Sequence, residues 1–595
     1  MRILGINDHI TSGAALIEDG RVLAAVNEER LVRKKMVIGF PWESIGAVLD
    51  IAGLRPNDVD CIAVASETGH FLDQYVSVDN GIFTLDEGFI KSLLFSVGSY
   101  AGFLRNRIPV LEDIYYGVKQ PIFARRRREV PKVLRDKYAF SCPVEFVSHH
   151  FAHAACAYYA SDFSDALVVT LDGAGDGDCS HVYEVIDGKW HHLHAVPAFD
   201  SPGRFYAYVT HMCGFKAGKH EGKVTGLAAY GEPIYQDIFD RHIRYENGTI
   251  ANLTGVFRQS AIKRLLAELP ADFRREDLAA SIQAVLEDIA VRYISHWREQ
   301  TGQRNIALAG GVVANVKLNQ LIHEIDGVDS IFVYPAMSDE GLGAGAALAL
   351  EAHRAEGSTV PRRKAFDHVY LGPAFSEPEL LGALDAEGIE HYRSENVETE
   401  IARLLAEGKV VARFDGRMEY GPRALGNRSI LYRPDDPSVN DWLNVRLRRT
   451  EFMPFAPATM DEDADWCYVG VDGARTAAHF MTITFGCTDE MKRACPGIVH
   501  VDGTARPQLV SASDNPSYYR IIQEFKRLTG LPSIINTSFN IHEEPIVCTP
   551  QDAVRAFLLG HLDVLAMGPF IAKHPKLDEL QGDARHNSKL ASPNG

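Results

Sequence analysis

Two histidines four residues apart, His149 and His153, are by type and spacing candidate ligands of a metal ion. They lie in the stretch Ser148-His149-His150-Phe151-Ala152-His153-Ala154-Ala155, which is typical of the start of a helix. An i, i+4 spacing puts both imidazoles on one helix face, where they can share one ion. The zinc-protease motif HExxH does not apply, because His150 stands in place of its glutamate. A pair of core or capping histidines is the alternative, and further ligands must come from elsewhere in the chain.

Glycines and acids that follow predicted buried strands are candidates for those ligands and for a nucleotide site. They occur in Asp172-Gly173-Ala174-Gly175-Asp176, in Gly310-Gly311-Val312-Val313-Ala314-Asn315 and at Asp339. The carboxylates of Asp172 and Asp339 can face a metal, and glycines let backbone N–H groups approach a phosphate. The candidate nucleotide contacts are Gly173, Gly175, Gly310, Gly311 and Asn315. Plain connecting loops are the alternative for each turn taken alone.

The second half of the chain holds its densest charged motif, GRMEYGPRALGNRS at 416–429. The arginines of this motif are Arg417, Arg423 and Arg428, and Arg446, Arg448, Arg449 and Arg506 are candidates to extend the cluster. Guanidinium groups match phosphate oxygens in charge and geometry, so the motif predicts a site for a polyanion such as ATP or an acyl phosphate. An exposed arginine surface is the alternative, but the intervening glycines are unfavourable on a passive helix face.

Short polar side chains follow a predicted strand at Asn536-Thr537-Ser538-Phe539-Asn540. The candidate binding residues are Asn536, Ser538 and Asn540, whose side chains can hydrogen-bond a nucleotide or an amide. A simple polar turn at the end of the strand is the alternative.

The first-half motifs lie on a strand pattern that occurs twice. An apolar run at 3–6 leads into Asn7-Asp8-His9, and runs at 14–17 and 22–26 flank an Asp19-Gly20 turn typical of a β-hairpin. About 165 residues later, runs at 166–171 and 181–185 flank the Asp172 turn in the same order. Further buried runs lie at 306–309 and 331–334, before a small-residue helix at 343–352. This repetition predicts a duplicated α/β unit.

Composition limits the class of protein. The 595 residues are 46% hydrophobic and 24% charged, which is typical of a globular chain with more than one domain. A net charge of −18 disfavours general binding of nucleic acid, and Arg125-Arg126-Arg127-Arg128 is expected to be a solvated face. Nine scattered cysteines with no CxxC pair, the absence of a signal-peptide pattern and the absence of a long apolar run favour the cytoplasm over a membrane. The polar stretch 356–364 is the expected position of the domain linker.

Six segments together identify a family resemblance. They are GRMEYGPRALGNRSI, HVDGTARPQ (500–508), NTSFN (536–540), GKVTGLAAYG (222–231), the HHFAH stretch and NEERLVRKK (27–35). They resemble the NodU/CmcH-type O-carbamoyltransferase family, whose members carbamoylate nodulation factors, cephamycin and tobramycin, and the resemblance runs from Met1 to about residue 572. It implies an α/β fold with a duplicated actin-like ATPase (ASKHA) domain over 1–365, related to the tRNA threonylcarbamoyl-transferase subunit. It further implies a YrdC-like α/β domain over 366–575, followed by a polar tail at 576–595.

The resemblance also implies a reaction and its participants. The C-terminal domain makes carbamoyl adenylate from carbamoyl phosphate and ATP, with Mg²⁺, and the N-terminal domain transfers the carbamoyl group to a hydroxyl of a small-molecule natural product. His149, His153 and Asp339 match ligands of Fe(II) or a similar divalent metal, with Asp172 as a further ligand. Neither a nucleic-acid nor a membrane partner is expected, and the oligomeric state stays open, with a homodimer as one option.

Further roles carry over residue by residue. His9 matches the histidine that deprotonates the acceptor hydroxyl, and Lys35 matches a lysine near the adenylate. Arg506, Asn536 and Ser538 match residues of the adenylate-forming site, and Lys223 of the GKVTGLAAYG segment joins the candidate nucleotide contacts. A base such as His9, with a pKa near neutrality, suits a hydroxyl that has to lose its proton.

The chain departs from the family pattern at three places, and two rival functions are weighed. Met453 stands where a basic residue is common, so Arg448 or Arg449 is expected to replace its phosphate contact. The chain before His9 is short, and Glu543 replaces an expected glycine. A threonylcarbamoyl-adenylate, tRNA-modifying enzyme is the first rival, disfavoured by the charge of −18. An ATPase-only regulator is the second, disfavoured by the histidines, Asp339 and the arginine motif.

Overall fold

Apolar runs in the first half of the chain form two five-stranded sheets with the same strand order. The computed structural model describes residues 1–77, 109–354, 365–448 and 455–576, with no side-chain description for 109–119. These residues fall into two compact units. Unit 1 consists of Met1–Leu371, Tyr420–Pro422 and Val471–Phe485, and unit 2 consists of Gly372–Glu419, Arg423–Gly470 and Gly486–Gly595. The predicted linker at 356–364 lies outside the described residues, and the predicted division near residue 365 stays a prediction.

Unit 1 contains fourteen described strands. They are β1 (Arg2–Asn7), β2 (Gly13–Glu18), β3 (Arg21–Asn27), β4 (Val37–Ile38), β5 (Cys61–Ala65), β6 (Val76–Ser77), β7 (Val144–Val147), β8 (Ala166–Gly175), β9 (Asp178–Ile186), β10 (Lys189–Pro197), β11 (Ile243–Glu246), β12 (Thr249–Asn252), β13 (Asn305–Ala309) and β14 (Ser330–Val333). Its described helices are Glu28–Val32, Trp42–Ala52, Pro109–Tyr138, His149–Ala160, Pro202–Met212, Glu221–Ala228, Gln236–Asp240, Gln259–Glu268, Arg275–Thr301, Val316–His323, Leu342–Arg354 and Arg475–Ala478.

The two large sheets of unit 1 repeat one topology. Their strand orders are β3-β2-β1-β5-β7 and β10-β9-β8-β13-β14. In each sheet the first three strands are antiparallel and the last two run parallel to the central one. The duplicated α/β unit expected from the sequence is therefore present, and the turn between β2 and β3 is the predicted Asp19-Gly20, with φ of 48° and 80°.

Small residues allow the helices of unit 1 to lie directly on the strands that carry the site. A Cβ atom on Gly5 of β1 would lie 1.8 Å from the carbonyl oxygen of Gly343 in the helix Leu342–Arg354. A Cβ atom on Gly345 would lie 2.2 Å from the carbonyl oxygen of Ala152 in the helix His149–Ala160. The predicted small-residue helix is thus the element that packs both on β1 and on the histidine-bearing helix.

Unit 2 is built on a mixed eight-stranded sheet. Its described strands are β15 (His391–Arg393), β16 (Val411–Phe414), β17 (Arg428–Tyr432), β18 (Ala456–Met460), β19 (Tyr468–Val469), β20 (Phe485–Cys487), β21 (Thr504–Ala505), β22 (Gln508–Val510), β23 (Ser533–Ser538), β24 (Val564–Met567) and β25 (Phe570–Lys573). The large sheet has the order β15-β25-β24-β16-β17-β23-β18-β22, and β19, β20 and β21 form a small one. The described helices are Glu377–Ala386, Val397–Ala406, Val439–Arg446, Ala464–Cys467, Asp489–Ala494, Pro516–Thr529 and Pro550–Leu559.

The core of unit 2 lies between its large sheet and two of these helices. Ile401 and Leu405 of one helix and Ile522 and Phe525 of the other are buried in one apolar cluster with Ile534 of β23. Both units therefore mix α and β structure, as the sequence predicts. Among the described residues, no helix is both long and apolar enough to cross a membrane.

Candidate functional site

Four side chains of unit 1 converge on one point: His149, His153, Asp172 and Asp339. One ligand atom from each lies within 4.8 Å of the ligand atoms of the other three, and all four residues are buried. Two imidazoles and two carboxylates are a donor set that suits divalent ions such as Fe²⁺ and Zn²⁺. In the part of the chain that the structure describes, no second group of three or more such side chains comes equally close.

Distances within the cluster test whether these residues fit a metal. His149 Nε2 lies 3.1 Å from Asp172 Oδ2 and 3.7 Å from Asp339 Oδ1, and His153 Nε2 lies 3.5 Å from Asp339 Oδ1. Neither ring nitrogen of His153 has a hydrogen-bond partner among the described residues, although both are buried. Buried polar atoms normally have a partner, and an ion beside Asp339 would provide one for Nε2 of His153. The four residues fit a divalent metal.

The charges of the cluster support the same conclusion. Burial lowers the pKa of His149, but the hydrogen bond with Asp172 and the negative charge of Asp339 outweigh it and raise that pKa to about 9. Burial also favours the neutral form of Asp172, yet the hydrogen bond with His149 holds the pKa of this carboxyl well below its usual range. Asp172 is therefore a carboxylate near neutral pH, and a metal ion that binds here would take the place of the proton on His149.

The loops around His149 shape the space that its ring occupies. A Cβ atom on Gly175 would lie 2.0 Å from His149 Cδ2, so Gly175 makes room for the imidazole. The Asp176 carboxylate accepts hydrogen bonds from the backbone N–H groups of His149 at 2.8 Å and Thr68 at 2.9 Å. Ser66 Oγ lies 3.1 Å from His149 Nδ1, which leaves Nε2 to face the carboxylates. Gly175 therefore has a steric role beside His149, and its predicted nucleotide contact stays a prediction.

His9 lies on the loop that follows β1 and is tied to the same cluster. The side chain of Asn7 accepts a hydrogen bond from the backbone N–H of His9 at 3.1 Å and donates one to the carbonyl oxygen of Asp339 at 2.8 Å. Gly69 has φ +145°, and a Cβ atom there would lie 2.2 Å from His9 Cε1. His9 Nε2 is buried and has no hydrogen-bond partner among the described residues. Burial lowers the pKa of His9, which keeps the ring neutral and able to accept a proton.

The predicted turn at Gly310 and Gly311 lies beside Asp172. Gly310 has φ +110°, and a Cβ atom there would lie 2.2 Å from the carbonyl oxygen of Leu171, so close chain packing requires this glycine. The backbone N–H of Gly311 donates to Asp172 Oδ1 at 2.9 Å. That N–H group holds the Asp172 carboxylate in place, in contrast to the phosphate contact expected from the sequence. Asn315 is buried and caps the helix that follows.

Three further predicted residues of unit 1 lie on three different elements. A Cβ atom on Gly173 would meet nothing within 4 Å, so the backbone there faces open space. Lys223 is buried in the helix Glu221–Ala228. Lys35 is partly buried in the loop after the helix Glu28–Val32. Their contacts with a nucleotide stay predictions.

In unit 2, strand pairing brings the arginine motif and the NTSFN segment side by side. In the β17–β23 pair, Ser429 is opposite Ser538 and Leu431 is opposite Asn536. The Asn536 amide donates to Gln508 Oε1 at 2.7 Å, while its own oxygen is buried without a partner among the described residues. An unpaired buried acceptor of this kind is available to a ligand N–H group.

The other polar residues predicted to bind ligands in unit 2 are paired with each other, partly buried or outside the described residues. Ser538 Oγ and Asn540 Oδ1 lie 2.6 Å apart, so these two side chains support each other. Arg417, Arg423 and Arg506 are partly buried, and their contacts with a phosphate stay predictions. Arg449 and Met453 lie outside the described residues, so the predicted replacement of the missing basic residue stays a prediction.

Arg428 does not have the role that the sequence predicts. Its side chain is fully buried, and its guanidinium donates to the carbonyl oxygens of Asp415 at 2.7 Å and Gly416 at 3.2 Å. The same group lies 3.7 Å from the ring centroid of Phe414. Burial lowers the pKa of Arg428 to about 10. A phosphate contact is therefore corrected to a supporting role, in which Arg428 holds the backbone of the turn.

Glu419 is a residue of this motif whose importance sequence reasoning missed. Its buried Oε1 accepts hydrogen bonds from the backbone N–H groups of Leu425 at 2.8 Å, Asn427 at 2.8 Å and Arg428 at 3.1 Å. One carboxylate thus holds the backbone conformation of the loop that carries Arg423. A lone acid inside an arginine- and glycine-rich stretch was the only sequence signal for it.

Comparison with known proteins assigns the family. Sequence models described as Carbamoyltransferase N-terminus and Carbamoyltransferase C-terminus match residues 2–348 and 402–574. The chain is 33% identical to nodulation protein NolNO of Sinorhizobium fredii, over 95% of this chain and 79% of that one. It is 28% identical to nodulation protein U of Rhizobium tropici, over 95% and 94%. It is 31% identical to an uncharacterized Synechocystis protein, sll1178, over 96% of each.

Likeness to solved structures is low. HypF of T. kodakarensis is 13% identical, with a TM-score of 0.33, over 60% of this chain and 48% of that chain. Component A of the (R)-2-hydroxyglutaryl-CoA dehydratase of Acidaminococcus fermentans is 16% identical, with a TM-score of 0.32, over 59% of this chain and 99% of that chain. Scores of this size carry no argument. The sequence matches, which span both halves, show instead that the chain belongs to the carbamoyltransferase family and is a carbamoyltransferase enzyme.

Proposed function

We propose that the chain is an ATP-dependent O-carbamoyltransferase that works in two steps. In unit 2, carbamoyl phosphate, ATP and one water give carbamoyl adenylate, phosphate and pyrophosphate. In unit 1, the hydroxyl oxygen of a small-molecule natural product attacks the carbonyl carbon, and AMP leaves. Unit 1 is the proposed actin-like domain, and unit 2 is the proposed YrdC-like domain.

The observation that carries the proposal is the position of the candidate base beside the candidate metal ligands. Asn7 binds the backbone of both His9 and Asp339, so the base and the cluster share one rigid support. His9 Nε2 is buried, has no hydrogen-bond partner among the described residues, and belongs to a ring whose pKa burial lowers. Such a nitrogen accepts the proton of the acceptor hydroxyl as the new C–O bond forms.

The metal cluster gives the second support. His149, His153, Asp172 and Asp339 would hold the divalent ion, with Fe(II) as the proposed identity. A divalent ion in such a site supplies positive charge for phosphate and carbonyl oxygens. Ser66 Oγ, 3.1 Å from His149 Nδ1, would hold the ring so that Nε2 faces the ion.

In unit 2 the chain's own residues would bind and orient the substrates. The partly buried Arg417, Arg423 and Arg506 are the proposed contacts for the phosphates of ATP, which is expected as its Mg²⁺ complex. The unpaired Oδ1 of Asn536 is the proposed acceptor for an N–H group of the adenylate. The β17–β23 pair supports this proposal, since it sets Leu431, just after the arginine motif, opposite Asn536.

The test separates the two steps. Purified protein is supplied with Mg²⁺, ATP and carbamoyl phosphate without an acceptor, and the products are measured by mass spectrometry. We expect slow formation of pyrophosphate and AMP, which Arg506→Ala abolishes and His9→Asn leaves in place. ATP that stays intact, or that is used only when threonine and bicarbonate replace carbamoyl phosphate, would contradict the proposal. The second of those results would favour a threonylcarbamoyl-adenylate enzyme.

A further inference from the structure

One arginine in the run Arg125–Arg128 differs from its three neighbours. Arg126 is 1% exposed, whereas the other three are exposed, as the solvated face predicted from the sequence requires. It projects from the helix Pro109–Tyr138 to the ends of β1 and β5. A buried arginine needs compensation for its charge, so its contacts identify its role.

The guanidinium of Arg126 forms a bidentate ion pair with the carboxylate of Asp8. Its Nη2 and Nε donate to Asp8 Oδ1 at 2.6 Å and Oδ2 at 2.9 Å. Its Nη2 and Nη1 also donate to the carbonyl oxygens of Ala65 and Ser66, each at 2.9 Å. Asp8 is as buried as its partner and precedes His9 directly. The pair therefore ties the His9 loop to the loop that carries Ser66, the partner of His149.

Four charged or titratable groups influence His9. Asp8 Oδ1 lies 3.8 Å from His9 Nε2 and favours the protonated ring. Arg126 favours the neutral ring, as does His149, and Asp176 of the β8–β9 turn favours the protonated one. Since Arg126 binds the Asp8 carboxylate that adjoins His9, its positive charge opposes the attraction of Asp8 for a proton on the ring.

We propose, on the basis of the proposed function, that Arg126 is a positioning residue for the base: it holds Asp8 as a paired anion, so that His9 stays neutral and fixed in place. In the transfer step the O–H bond of the acceptor breaks and an N–H bond forms at His9 Nε2. The acceptor oxygen forms a new C–O bond to the carbamoyl carbon, and the C–O bond to AMP breaks. A ring already protonated through an unpaired Asp8 could not accept that proton.

Titration of His9 by NMR tests this without any turnover. The full chain, labelled with ¹³C at histidine Cε1 and loaded with diamagnetic Zn²⁺, is titrated, and the His9 signal is assigned from its absence in His9→Asn. In Arg126→Met we expect the His9 midpoint to rise by about one pH unit or more, because an unpaired anion adjoins the ring. In Arg126→Met/Asp8→Asn it should return towards the wild-type value. Arg128→Met, at a side chain that is 74% exposed, is the matched control and should leave it unchanged.

An unchanged His9 midpoint in Arg126→Met would overturn the inference. If Arg126→Met does not fold, Asp8→Asn is titrated instead. The His9 midpoint should then fall, because the positive charge of Arg126 is no longer balanced by Asp8. An unchanged midpoint would again overturn the inference. Failure of the proposed function is detected by a different measurement. In that case the wild-type protein forms no AMP from ATP and carbamoyl phosphate, whatever the titration of His9 shows.

Discussion

Removal of the Glu419 carboxylate should unfold the arginine loop of unit 2 and abolish adenylate formation. In Glu419→Ala the backbone N–H groups of Leu425, Asn427 and Arg428 lose the acceptor that now lies 2.8–3.1 Å away. A buried donor left without a partner costs about 1–3 kcal/mol. Because the loop can open and admit water, we expect a total loss of about 4 kcal/mol in the free energy of unfolding of unit 2.

Hydrogen exchange and urea denaturation measure the two halves of this prediction. Exchange of the amides at 425–428 should become fast in Glu419→Ala, and the midpoint of unfolding should fall. Glu419→Gln keeps an oxygen acceptor without its charge, so it should lose roughly half as much. Glu490→Ala is the matched control, since Glu490 is 55% exposed and forms a surface pair with Arg493, worth little to stability. Slow exchange at 425–428 in Glu419→Ala would refute the reasoning, as would full pyrophosphate formation by that variant.

Three further predictions concern the metal, the base and a strained loop. Gly175→Ala should lower the metal content measured by mass spectrometry, since the new Cβ atom would lie 2.0 Å from His149 Cδ2; normal metal content would contradict the site. The acidic limb of the transfer rate should have its midpoint below pH 6.5, because burial lowers the pKa of His9, and a midpoint above that value would contradict a neutral His9 base. Glu543→Gly should raise the free energy of unfolding of unit 2, measured in urea, by about 0.5 kcal/mol. The reason is that Glu543 has φ of 64°, a conformation that strains a non-glycine residue by roughly 1–2 kcal/mol. This strain exceeds the stabilisation that the unfolded chain gains from the extra freedom of glycine. No gain would show that contacts of Glu543 compensate for its strain.

Much of unit 1 was predictable because its signals are local. The i, i+4 spacing of His149 and His153 and the apolar run before Asp172 each report on one element, and the repeat of that run predicts the second sheet. Asp339 was a candidate because it follows a predicted buried run, and the family resemblance then matched it to a metal ligand. The structure adds that all four side chains meet within 4.8 Å. The glycine expected at 543 also has a physical reason, since Glu543 adopts the left-handed backbone that glycine prefers.

The remaining features depend on tertiary contacts that leave no local pattern. Nothing in four consecutive arginines marks Arg126 as the buried one, because its partner Asp8 is more than a hundred residues away in sequence. Arg428 has the composition of a phosphate contact, yet its partners are carbonyl oxygens of its own turn. Gly311 likewise binds a carboxylate, that of Asp172. Residue type predicts the chemistry a group can perform, and only the fold decides what it faces.

The central claim is that the activated carbamoyl group is an adenylate that His9 helps to transfer. The most direct measurement is mass-spectrometric detection of carbamoyl adenylate in rapidly quenched mixtures of His9→Asn with Mg²⁺, ATP and carbamoyl phosphate. We predict that the intermediate is detected with His9→Asn, which leaves adenylate formation in place, and is absent from the same mixture with Arg506→Ala. Conversion of ATP to ADP, with no carbamoyl adenylate in either variant, would contradict the account.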